Sequence, residues 1–134
     1  MIYTLIQIFL TSFLINLLWE VLHSTLYTTC LRLSLKRYVS LIVGASLKDA
    51  FWISTFFLIS IYIFGKTNIL ENKFQLLFFV IVALIFSFID EKISLSMKRW
   101  KYSRQMSTIF GVGITPLLEL VITGILTFFF VFLI

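Results

Sequence analysis

Glu20 and His23 stand three residues apart, in the run Glu20-Val21-Leu22-His23. On a helix that spacing puts both side chains on one face within reach of each other. A carboxyl beside an imidazole is suited to passing a proton, and His23 is the only histidine in the chain. Ser12, Asn16 and Tyr27 extend the same face at steps of three or four. Further groups able to do chemistry are Lys48-Asp49, then Asp90-Glu91 flanked by Ser87 and Ser94 at helical spacing, and Glu119. The expected acid/base set is Glu20, His23, Asp49 and Glu91. Asn16, Trp19, Trp52, Asp90, Trp100, Tyr102 and Glu119 are the expected substrate-binding set. Lys48 is placed to neutralise one of the carboxylates. Trp19 adjoins Glu20 and Trp52 follows Asp49 by three, so either ring could wall a cavity and stabilise a cation on its π face. An aromatic belt at the membrane interface accounts equally well for the three tryptophans and for Tyr27, Tyr38 and Tyr102. Glu-x-x-His also occurs in two-iron helical bundles, but there it recurs on a second helix, and here no second histidine exists. No metal and no cofactor are therefore expected.

The elements that must position these residues are dictated by composition. The chain has 134 residues, 60% hydrophobic and 13% charged, whereas soluble domains are ~45–50% apolar and ~25% charged. That balance excludes a cytosolic enzyme, a secreted disulfide scaffold and a nucleic-acid binder, and Cys30, the single cysteine, has no intramolecular partner. Apolar runs lie near residues 2–22, 46–65, 74–91 and 116–134, each near the ~20 residues that cross a bilayer. The first lacks the basic flank and small-residue cleavage site of a signal peptide and reads as a permanent span. Strict apolar–polar alternation is absent, so a β-barrel is excluded and helices must satisfy the backbone. The reading is all-α: one domain, 1–134, an integral-membrane four-helix bundle.

The connections, residues 23–45, 66–73 and 92–115, differ in charge. Eight basic residues lie in the first and third (Arg32, Lys36, Arg37; Lys92, Lys98, Arg99, Lys101, Arg104), against Lys66 and Lys73 in the second. By the positive-inside rule both termini of this multi-pass membrane protein are outside. In loop one, Leu31, Leu33, Leu35, Tyr38, Leu41 and Ile42 alternate with basic residues, which predicts an amphipathic helix lying in the headgroup plane. Anionic lipid headgroups, not nucleic acid, are the expected partner of the net charge of +5. In loop three, Gly111 and Gly113 predict a tight turn re-entering the membrane, and Thr115-Pro116 a capped start of the last helix.

The rise of a helix converts position into depth. Measured from the outer end of each span, Glu20 lies about 27 Å in, Asp49 about 24, Asp90 and Glu91 about 24 and 26, and Glu119 about 23. Five of the six acids thus fall in one layer near the cytoplasmic edge, and only Glu71 lies elsewhere. Acids at such depth are costly and normally turn inward, pair or serve a function, so a shared polar cavity is expected.

Asn16-Leu17-Leu18-Trp19-Glu20, Lys48-Asp49, Glu91, Arg99-Trp100-Lys101-Tyr102 with Met106, and Gly113-Ile114-Thr115-Pro116-Leu117-Leu118-Glu119 resemble a group of small uncharacterised bacterial four-span proteins. That group has an Asn-x-x-Trp-Glu opening, a Trp-x-Tyr-x-x-x-Met-Pro segment and a Gly-x-x-Pro-Leu-x-Gln close. The chain departs from it at Lys48, where Gly is expected, at Ser107 for Pro and at Glu119 for Gln. The five-residue Asn16-x-x-Trp19-Glu20 element is similar, more distantly, to integral-membrane terpene cyclases, where the Glu is thought to protonate an isoprenoid. The resemblance implies acid/base chemistry on a lipid or isoprenoid-like substrate entering from the bilayer, by a terpenoid cyclase or isomerase, with dimerisation if the substrate is large. The residues also admit a non-enzymatic module that binds or transports a cation or proton, and a small accessory subunit of a membrane complex.

Overall fold

The computed structural model describes all 134 residues. Five α-helices hold most of it: α1 (Ile2–His23), a single turn α2 (Thr28–Leu31), α3 (Leu35–Phe64), α4 (Lys73–Ser96) and α5 (Ile114–Leu133). A two-residue hairpin, β1 (Thr108–Ile109) with β2 (Val112–Gly113), interrupts the otherwise all-α chain. Three segments, Ile2–Leu26, Leu35–Phe64 and Ile114–Leu133, are long and apolar enough to cross a membrane. α4 joins them in a four-membered ring: α1 and α4 each pack against α3 and α5 and sit diagonally across from one another.

The distribution of residue types around each helix is inverted relative to a soluble bundle. α1 buries Ser12, Asn16 and His23 and exposes Leu10, Leu14 and Leu18. α4 buries Gln75, Ser87, Glu91 and Ser94 and exposes Leu77, Ile81, Ile85 and Ile89. Apolar side chains on the outside suit lipid, and small hydroxyl residues inside let helices approach closely. Ser12, Ser46, Ser60, Thr123 and Thr127 each donate a hydrogen bond to a carbonyl of their own helix, so burying them leaves these hydroxyls satisfied. At Gly124 a β-carbon would collide with the ring of Phe79, so the α4–α5 contact requires that glycine.

One half of the interior is built around an apolar cluster. Ile8, Ile53, Phe57, Ile69, Phe79 and Phe128 form a continuous apolar cluster toward the end that carries residues 66–73, with Phe79 set edge-on to Phe128 at 4.8 Å between centroids. That end is closed by local chemistry. Gly65 ends α3 in the left-handed region (φ 74°), and the Asn72 side chain accepts from the amides of Phe74 and Gln75 to start α4. The Gln75 amide ties the two together by donating to Ser60 Oγ (3.0 Å) and the Lys66 carbonyl (2.9 Å).

Three expectations need correction. The segment expected as a separate headgroup-plane helix is instead the first part of α3, which runs unbroken for 30 residues from Leu35 to Phe64. Nothing between residues 35 and 64 breaks a helix: no proline occurs, and Gly44 is a single tolerated glycine. Second, α4 continues past Glu91 to Ser96. Third, α5 begins at Ile114 with Gly113 as its cap, so Thr115 does not cap; Pro116 falls in the first turn, where no amide donor is needed. The expected tight turn at Gly111 is the hairpin, with Phe110 (φ 51°) and Gly111 (φ 79°) both left-handed, as a two-residue hairpin turn demands.

Candidate functional site

The other half of the interior holds a cavity of about 70 Å³. The last turn of α1, the middle of α3, the second half of α4 and the first turns of α5 converge there. All five acids of the expected layer, Glu20, Asp49, Asp90, Glu91 and Glu119, line it, with His23, Lys48, Tyr27, Ser87 and Trp100. Glu71, the sixth acid, is exposed and meets the Asn68 side chain in the loop before α4.

Helical spacing delivers the central pair. Glu20 Oε2 and His23 Nε2 are 2.8 Å apart, and His23 Nδ1 lies 3.3 Å from Thr115 Oγ1 on α5. Both ring nitrogens are thus held, and the ring is fixed further by the edge of Tyr27, with centroids 5.4 Å apart. Beside it the carboxyl groups of Glu20, Asp49 and Glu119 line the same cavity as neighbours. Asp49 and Glu119 are buried. Lys48 does neutralise a carboxylate, but it is Asp90: Nζ donates to Oδ2 at 2.7 Å, on the half-exposed rim of the cavity. Of the inner three acids only Glu20 makes a hydrogen bond to a basic side chain, that of His23, while the Lys48 charge stands farther off on the same cavity wall.

Glu91 has a different job from the others. Its Oε1 accepts from Tyr102 Oη (2.6 Å), Trp100 Nε1 (3.0 Å) and Tyr27 Oη (3.2 Å). Tyr102 Oη in turn accepts from the Gly113 amide at 2.9 Å. Backbone bonds from Thr28 to the Lys101 carbonyl (3.0 Å) and from Ser103 to the Leu26 carbonyl (2.7 Å) complete a strap across the mouth of the cavity. Burial, and then the neighbouring Glu91 charge, push the Tyr27 phenol far up from its ordinary value. Tyr102 is raised by burial and by its hydrogen bond to Glu91. Cys30, also on the cavity wall, is raised by burial and then by the charge of Glu20.

The remaining expected site residues lie off the cavity. Asn16 is fully buried a turn deeper, its Nδ2 donating to the Ser12 carbonyl at 2.8 Å and its Oδ1 without a partner. Trp19 flanks His23 at 6.1 Å between centroids, with its indole N–H unpaired. Trp52 stacks with Phe51, Phe56 and Phe86 and has no place at the acids. Tyr102 acts through Glu91 rather than on the cavity. Thr115 was expected only as a cap, and its contact with His23 depends on tertiary packing. Ser87 was visible as part of the α4 stripe, but nothing in the stripe singles it out; its buried Oγ has no hydrogen-bond partner.

Chemically the arrangement can hold a proton between Glu20 and His23, or a cation among carboxylates. A cavity of about 70 Å³ is far below the ~300 Å³ of a pocket that encloses a drug-sized ligand. It suits the polar end of a larger molecule, a few waters or an ion. No protein-family model, curated protein or solved structure matches this chain.

Proposed function

We propose that the chain is a four-span protein of the bacterial cytoplasmic membrane and an acid/base enzyme acting on the polar end of a lipid or isoprenoid-like molecule. In this reading all four long helices cross, both termini lie outside, and the cavity sits just under the cytoplasmic headgroups. The observation that carries the reading is the 2.8 Å contact between Glu20 and His23 inside a cavity walled by carboxylates. Glu20 is the proton donor and His23 the relay, its ring held by Thr115. Asp49 and Glu119 supply the negative field that stabilises developing positive charge. Glu91 positions the strap and does not act as the base. The apolar tail of the substrate stays in the bilayer, against outward leucines such as Leu14 and Leu18.

The apolar cluster of Phe57, Phe79 and Phe128 in the other half of the bundle favours this reading over a conduit. Native mass spectrometry and lipid extraction of gently purified protein test the proposal, with wild type beside Glu20→Gln. A bound hydrophobic molecule that changes in amount or identity with the substitution is the expected result. Protein free of such a molecule, and identical in both forms, would refute it.

A further inference from the structure

We infer that Glu20, His23 and Glu119 bind one divalent first-row transition-metal ion. Each offers a ligand atom, and these atoms lie within 4.8 Å of one another. Ligands at ~2.0–2.2 Å from a common ion are at most ~4.4 Å apart, so rotamer-scale adjustment closes the site. The three come from α1 and α5, which already pack together, and the missing second histidine excludes only the two-iron pattern.

Independent observations point to a ligand here. Ser87 Oγ, on α4, is buried in the cavity wall without a hydrogen-bond partner. Glu119 Oε1 is likewise buried and unpartnered, in a side chain only 7% exposed. Charge balance argues the same way. Lys48 is hydrogen-bonded to Asp90 and only its more distant charge reaches the three adjoining carboxyl groups, which otherwise share one imidazole; like charges so placed favour protons or a cation. The histidine is also oriented for coordination: Nε2 points at Glu20, while Nδ1 contacts Thr115 Oγ1. An outer hydrogen bond of that kind sets the tautomer of a metal-binding imidazole. One imidazole with carboxylate oxygens suits Zn²⁺, Mn²⁺ or Fe²⁺, whereas Mg²⁺ and Ca²⁺ prefer oxygen alone.

This inference rests on the proposed function only for the location of the site. With the ion bound, Glu20 and His23 are ligands, and Asp49 is the acid left beside them to move a proton. The test uses full-length protein in lipid nanodiscs, stripped with a chelator and titrated with Co²⁺ by visible absorption, then with Zn²⁺ by elemental analysis after desalting. Wild type and the control Glu71→Gln should retain one equivalent of Zn²⁺ and develop Co²⁺ ligand-field bands. His23→Gln and Glu119→Gln, checked for folding by circular dichroism, should bind more than ~100-fold more weakly, and Thr115→Val ~10–100-fold more weakly, as expected for an outer-shell partner. The inference is overturned if wild type develops no bands, if it takes Mg²⁺ as readily as Zn²⁺, or if folded Glu119→Gln binds as wild type does. Metal retention without a bound lipid would leave this inference standing and remove the enzyme reading; a bound lipid without metal would do the reverse.

Discussion

Single residues divide the polar half of the molecule into a reactive part and a structural part. Glu91 is the clearest structural member, since one of its oxygens serves three donors from two separate connections of the chain. Hydrogen bonds to a charged acceptor contribute about 1.5–3 kcal/mol each. Glu91→Gln keeps the shape and removes the charge, so it should cost about 2–4 kcal/mol overall. A lowered thermal midpoint together with a shift in Trp100 emission checks this; an unchanged midpoint would return Glu91 to the candidates for catalysis. The same cluster sets an alkaline limit. Tyr27 and Tyr102 are both raised above the ordinary phenol value. The fold therefore favours their neutral forms, and that contribution is complete below pH about 10 and lost as pH rises beyond it. Tyrosinate absorbance should show two of the five tyrosines ionising late, together with unfolding, and ionisation of all five near the free value would contradict the buried clasp.

At the scale of elements, what could be foreseen was what helical geometry alone controls. The Ser12-Asn16-Glu20-His23 face follows from periodicity, although Tyr27, expected on the same helix, lies beyond the end of α1 in extended backbone; the five acids placed at one depth do line one cavity. Elements whose form depends on distant contacts were not legible. The clasp on Glu91 needs residues 27, 100 and 102 to meet, and no local pattern encodes that. Alternating leucines and basic residues before Ala45 fit a helix in the headgroup plane as well as the straight continuation found in α3, because amphipathicity fixes a face and not an axis. Trp52 adjoins an acid in sequence yet packs with phenylalanines. The α4–α5 seam offers a test of the apolar half. Gly124→Leu should destabilise by about 1–3 kcal/mol through overpacking against Phe79, with Phe79→Ala in the same chain restoring part of the loss. Thermal unfolding in detergent measures both, and additive losses would show that the two sites do not touch.

For the whole molecule, the arrangement is a bundle with an acidic cavity at one end and an apolar cluster at the other, and its orientation is open to direct labelling. In a Cys30→Ser background, Thr67→Cys should react with a membrane-impermeant maleimide in intact cells, while Arg104→Cys should react only after the membrane is opened. The opposite pattern would place the acidic cavity on the outer side. The length of α3 carries a last consequence. Its 30 residues span about 45 Å, half as long again as a ~30 Å hydrocarbon layer. Asp49 stands about 24 Å from the Gly65 end of that rod, close to the thickness of the thinner biological bilayers at ~27 Å and well short of the thicker ones at ~32–33 Å. In the proposed orientation acyl-chain length would thus set the depth of the carboxylates: close beneath the headgroups in short chains, submerged in long ones.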